Sequence, residues 1–149
     1  MKKNINLYLF TYLITLFLFS VFFLYQKHEV LNDSTISEWL INYEGGFVKR
    51  GLIGQLSIYL SNFFVIKLRD TIFLLQTLLV GTYFFLIYHF LKNIFYNKIF
   101  IFAIFTPIFI LYPVAEIEVL ARKEIFIFVY LLIYCFVPFE KKKYKFFYK

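Results

Sequence analysis

Long uncharged runs, separated by short charged stretches, set the pattern of this chain. Ile5–Tyr25 and Thr71–Leu91 each hold 21 residues without a charge, Ile99–Ala115 holds 17 and Ile125–Phe139 holds 15. A helix needs roughly 20 residues to cross the ~30 Å hydrocarbon layer of a bilayer. The first two runs reach that length and the third comes close. The fourth falls short, so its helix is expected to start near Val119 and to run over Val119–Phe139, which draws Arg122, Lys123 and Glu124 to the membrane boundary. Charges grouped between runs, instead of alternating with apolar positions, would leave a water-soluble monomer with too much exposed apolar surface. The pattern therefore predicts an all-α, polytopic membrane protein, a single membrane domain over 1–149 with four spanning helices. Pro107 should kink the third of them. The first run is longer than the 7–15 apolar residues of a signal peptide, and FLYQKHE offers no small-residue cleavage site, so it reads as a retained anchor.

The uncharged segment Gly51–Ile66 has a different pattern. Gly54, Ser57 and Ser61 share one helical face with Gln55 and Asn62 beside them, while Leu52, Leu56, Tyr59, Leu60 and Phe63 line the other. That division predicts a helix lying in the interface with its apolar side toward the hydrocarbon, within an external loop spanning 26–70. A fifth span is the alternative, because the segment carries no charge.

Charge orients the spans. Both termini are basic, with Lys2 and Lys3 at one end and Lys141, Lys142, Lys143, Lys145 and Lys149 at the other. The positive-inside rule puts both in the cytoplasm and so requires an even number of spans. Four spans leave nine Lys/Arg inside and seven outside, the latter spread over two longer loops. The segments Gln26–Asp70 and Glu116–Glu124 then share the external face, and they carry eight of the nine acidic residues. The expected location is the inner (cytoplasmic) membrane, multi-pass. The tail 140–149 ends in KKKYKFFYK, a basic-aromatic anchor for the anionic inner leaflet.

Composition agrees with the pattern. The chain is 62% hydrophobic and 17% charged, against about 45–50% and roughly 25% in soluble domains. Its net charge of +7 sits on termini and loops that flank apolar runs, which points to membrane lipids as partners and not to nucleic acid. Cys135 is the only cysteine, so no intrachain disulfide can form. With two isolated histidines, His28 and His89, and that one cysteine, no zinc site is expected.

Two short segments carry the candidate chemistry. In EGGFVKRG (Glu44–Gly51), Gly45 and Gly46 permit a tight turn into the following helix. That helix would present free backbone N–H groups just after Lys49 and Arg50, and a helix N-terminus beside two cations suits a phosphate. The competing reading is a structural turn whose cations meet lipid headgroups. In the second segment, Glu116 to Glu124, Glu118 and Arg122 are four apart and can pair on a helix. Ionisable groups close to hydrocarbon are costly and mark candidate sites, although a charge network in interfacial water explains them as well. Glu29, Asp33, Glu38 and Glu44 are the acids of the first loop. Any of them could act as a base once partly desolvated, yet no spacing among them marks a metal site or an acid pair. Asn32 to Thr35 reads as a helix N-cap region with Glu38 in the turn beyond, and Trp39 with Tyr43 as an interfacial aromatic belt.

WLINYEGGFVKRGLIGQL resembles a stretch near the N-terminus of bacterial multi-spanning proteins of envelope polysaccharide synthesis, which carry a G-F-V-basic-basic-G-L-x-G core after their first span. The later ARKE is similar to a second charged patch of those proteins, with Ala121 in place of glycine, and Lys49 stands where arginine is usual. Their layout is similar to that of the C-type glycosyltransferase superfold. The resemblance implies a polyprenyl-phosphate sugar as ligand, Asp33 or Glu44 as catalytic acids, and Lys49, Arg50, Arg122 and Lys123 as phosphate contacts. It names no further cofactor and no metal. Enzymes of that layout have many more spans, so the chain would be a shortened relative, a fragment or one half of an assembly. Three functions follow as alternatives: a lipid-phosphate-sugar glycosyltransferase or its remnant; a non-catalytic membrane protein that binds headgroups or packs on a larger membrane partner; and a transporter subunit. Thr15, Gln76 and Thr77 are a thin polar supply for the last.

Overall fold

The computed structural model describes residues 2–30, 34–48, 51–92 and 111–136. Most of the third run, with Pro107, and the basic tail 140–149 lie outside the described residues. Seven helices are described: α1 (Lys2–Glu29), α2 (Ser34–Leu40), α3 (Gly51–Phe64), α4 (Leu68–Leu91), α5 (Tyr112–Ala115), α6 (Ile117–Ala121) and α7 (Ile125–Phe136). Among the described residues there is no strand. Among the described residues, only α1 and α4 are long and apolar enough to cross a membrane.

Ring contacts fix how the long helices run. Phe10 meets Tyr88 at 5.5 Å, Phe17 meets Phe84 at 6.0 Å and Tyr25 meets Phe73 at 6.2 Å, so α1 and α4 are antiparallel along their lengths. Tyr83 meets Phe128 at 6.5 Å and His89 meets Phe136 at 5.4 Å, so α7 runs parallel to α4. Leu9, Leu13 and Leu24 of α1, Val80, Tyr83 and Ile87 of α4, and Ile125 and Val129 of α7 form the shared core. At roughly 25 cal/mol per Å² of apolar surface removed from contact with solvent, such side chains contribute about 1.5–3 kcal/mol each in water. Inside a bilayer the same contacts act through close packing instead.

The first joint lies where α1 ends and α4 begins. His28 Nε2 is 3.0 Å from Asp70 Oδ1, and Arg69 Nε donates to the His28 carbonyl at 2.7 Å. The Arg69 guanidinium also reaches the Val30 carbonyl. The His28 carbonyl belongs to the last turn of α1 and Val30 follows directly after it, where no intrahelical donors are left, and a cation there also suits the negative end of the helix dipole.

Helix α3 has the two faces read from its sequence. Gly51, Gly54, Ser57 and Ser61 are buried, whereas Leu52, Leu56, Tyr59 and Phe63 are exposed. With 14 residues it extends about 21 Å, too short for a fifth span across ~30 Å of hydrocarbon. It stops in a left-handed turn at Val65 (φ 55), where Ile66 N–H bonds back to the Ser61 carbonyl at 3.1 Å. That is a Schellman-type cap with valine in the place glycine usually takes.

One boundary differs from the sequence reading. The last helix was expected from Val119, but α6 stops at Ala121 and α7 starts only at Ile125. Between them Arg122 is extended, with φ −89 and ψ 170. The physical reason is a capture of the Ala121 carbonyl, described next.

Candidate functional site

Two side chains from different helices donate to one buried carbonyl. Trp39 Nε1–H of α2 meets the Ala121 oxygen at 2.9 Å, and Gln76 Nε2–H of α4 meets it at 2.7 Å. A carbonyl oxygen has two lone pairs, so both donors can be accommodated. Capture of this acceptor removes it from any continuing helix, and the chain leaves the helical path at Arg122. Trp39, read from sequence as part of an interfacial aromatic belt, is fully buried within the protein, and Gln76 is nearly so. An indole in such a place must find an acceptor for its N–H.

Alpha-helix geometry gives the level of this contact. Gln76 stands six residues beyond Asp70 on α4, which at 1.5 Å per residue is about 9 Å along the axis. The Ala121 carbonyl is therefore tied to α4 well inside the helix, beyond the His28–Asp70 joint at its start. Phe126 of the first turn of α7 stacks obliquely on Trp39 at 5.9 Å, which fixes the start of α7 at the same level.

Close backbone approach brings α3 here. A Cβ on Gly54 would overlap the Ile41 carbonyl and come within 2.9 Å of the Trp39 oxygen. Tyr43 lies against Gly51, where a Cβ would sit 2.6 Å from its ring, and Tyr43 N–H donates to Gln55 Oε1 at 3.3 Å. The result is a groove of about 330 Å³ lined by Leu52 and Ile53 of α3 and by Lys123, Glu124, Phe126 and Ile127. Segments some seventy positions apart in the sequence thus share one groove, whose surface is almost wholly apolar.

The predicted site residues fare differently. Asp33, Lys49 and Arg50 lie outside the described residues. Glu44 is exposed on the glycine turn, its backbone N–H held by Asn42 Oδ1 at 3.0 Å, and it is not among the groove residues. Arg122 pairs with Glu118 at 3.4 Å, the i,i+4 contact expected from the spacing, and both are well exposed. Its Nε is nevertheless buried and has no hydrogen-bond partner among the described residues. Lys123 lines the groove.

Backbone amides are less open than the sequence implied. Gly51 N–H, expected to be free at the start of α3, donates to the Val48 carbonyl at 3.2 Å. The first amides of α7 are also engaged: Phe126 N–H with Lys123 O at 3.1 Å and Ile127 N–H with Glu124 O at 2.9 Å. Arg122 and Lys123 are the cationic side chains of this turn. Sequence reading missed Trp39 and Gln76 as supports of the turn, and His28, Arg69 and Asp70 as a joint. Their signal was faint: the single tryptophan, and a glutamine inside an apolar run. Among the described residues no three His, Cys, Asp or Glu side chains gather as a metal site. No protein-family model, curated protein or solved structure matches the chain.

Proposed function

We propose that the chain is an integral protein of the cytoplasmic membrane that binds the phosphate of a lipid-linked sugar at the external face, in the service of envelope polysaccharide synthesis. The observation that carries this reading is the convergence of Leu52 and Ile53, which follow the EGGFVKRG segment, with Lys123 and Glu124 of the ARKE segment around one groove. The apolar walls suit a polyprenyl chain, and Arg122 and Lys123 suit a phosphodiester, because charge-assisted hydrogen bonds in a partly desolvated site outweigh neutral ones. Ionisable groups close to hydrocarbon are expensive unless a function retains them. With α4 and α7 parallel to each other and antiparallel to α1, the reading of an even number of spans is supported, and the basic termini are what argue for the cytoplasmic side. Whether sugar transfer follows binding depends on Asp33 or Glu44 as the acid, and Glu44 on its exposed turn suits a solvated loop charge better.

Equilibrium binding of a polyprenyl-phosphate sugar to the purified protein in nanodiscs tests the proposal. Saturable binding, weakened at least about tenfold in Arg122→Ala/Lys123→Ala, is the expected result; two charge-assisted bonds of ~1.5 kcal/mol each would supply more than that. Affinity equal to that for an ordinary anionic phospholipid would leave a headgroup-binding or partner-packing protein.

A further inference from the structure

We infer that Trp39 and Gln76 are positioning residues for the phosphate-binding turn, acting through the Ala121 carbonyl. The inference rests on the reading of Arg122 and Lys123 given above.

The geometry supplies the reason. Two buried donors reach one acceptor at 2.9 and 2.7 Å, from α2 and α4, which also pack together through Ile36, Trp39 and Ile72. Ala121 is itself fully buried, as are Leu120 before it and Ile125 after it. The backbone on either side of Arg122, Lys123 and Glu124 is thus fixed, while the three side chains between stay partly exposed. Were α6 to continue into α7 as one helix, Arg122, Lys123 and Glu124 would be spread 100° apart around it. The break instead keeps them on one short turn, with Lys123 and Glu124 on the groove. Because each donor bonds the same oxygen, removal of either leaves the carbonyl with a partner. Single substitutions therefore loosen the turn without stranding a buried acceptor, which would be costly.

Trp39 also gives a direct readout, since it is the only tryptophan in the chain. Its indole N–H is bonded to the residue next to Arg122, so a ligand that draws on Arg122 and Lys123 must perturb its emission. The test uses the full-length protein in nanodiscs, titrated with a polyprenyl-phosphate sugar, with binding measured both at equilibrium and by Trp39 fluorescence. Wild type should give a saturable emission change with the same midpoint as equilibrium binding. Gln76→Met and Trp39→Phe should each weaken equilibrium binding about fivefold, the worth of one neutral hydrogen bond, with helix content retained. In the Arg122→Ala/Lys123→Ala background the effect of Gln76→Met should vanish, since coupled residues are not additive. A purely structural glutamine would lower affinity by the same factor in both backgrounds, which would overturn the inference. So would wild-type affinity in both single variants while the Arg122/Lys123 variant binds poorly. Loss of specific binding in wild type itself would instead overturn the reading on which the inference stands, and the inference with it.

Discussion

Gly54 and Gly81 both sit inside helices, and the sequence gives no way to rank them. The structure does. Gly54 faces backbone, the Ile41 carbonyl carbon at 2.6 Å from where its Cβ would be, and backbone cannot swing aside. Gly81 faces the edge of the Phe17 ring at 3.6 Å, an ordinary contact. Gly54→Ala should destabilise by about 1–3 kcal/mol, as overpacking does, and Gly81→Ala should be neutral or gain up to ~1 kcal/mol from helix propensity. Thermal melting in detergent checks both, and a harmless Gly54→Ala would mean that α3 does not press on the 39–41 backbone. The groove depends on that approach, so Gly54→Ala should also weaken ligand binding. Spacing alone revealed that Gly54, Ser57 and Ser61 share a face; that the face meets a carbonyl was decided by how the chain after α2 folds back on α3.

Helix ends, more than helix interiors, hold the elements in register. Arg69 bonds the carbonyls of His28 and Val30 at the end of α1. Replacement of Arg69 by Met keeps much of the side chain's bulk and removes the guanidinium, at a cost of roughly 1.5–3 kcal/mol for charge-assisted bonds. The melting temperature should fall, and hydrogen exchange should rise in the last turn of α1 before it rises in α4. An exchange increase spread evenly over both helices would refute the joint. The opposite change is available at Val65, 92% exposed with φ 55. A left-handed conformation costs a non-glycine residue about 1–2 kcal/mol, so Val65→Gly should raise stability by up to ~1 kcal/mol after the glycine's own entropy is counted. The existence of α1, α3 and α4 was legible in their apolar runs. The stop at Ala121 was not, because it depends on donors that lie 82 and 45 positions away.

At the scale of the whole molecule, the membrane placement makes the clearest prediction. Cys135 is exposed on α7, yet the proposed topology surrounds it with hydrocarbon. A thiol reacts through its thiolate, which an apolar medium disfavours. Water-soluble maleimide should therefore leave Cys135 unlabelled in intact membranes and label it fully after denaturation in detergent. Rapid labelling in intact membranes would contradict the placement of α7. The same burial accounts for the outward leucines and aromatics: Leu7, Tyr8, Leu18, Phe22, Leu78 and Phe85 are all exposed on α1 and α4, an arrangement that lipid tolerates and water does not.

By itself, the sequence determined what local physics can determine. Uncharged runs of 21 residues dictate helices, a stripe of small residues dictates the inner face of α3, and four-residue spacing dictates the Glu118–Arg122 pair. Tertiary structure decided the rest. It sent Trp39 inward to the Ala121 carbonyl, broke the last helix at Arg122, paired His28 with Asp70, and brought Leu52 and Ile53 against Lys123. Periodicity is a property of neighbours along the chain, whereas a buried donor takes whichever acceptor the fold carries to it, and desolvation makes that choice binding.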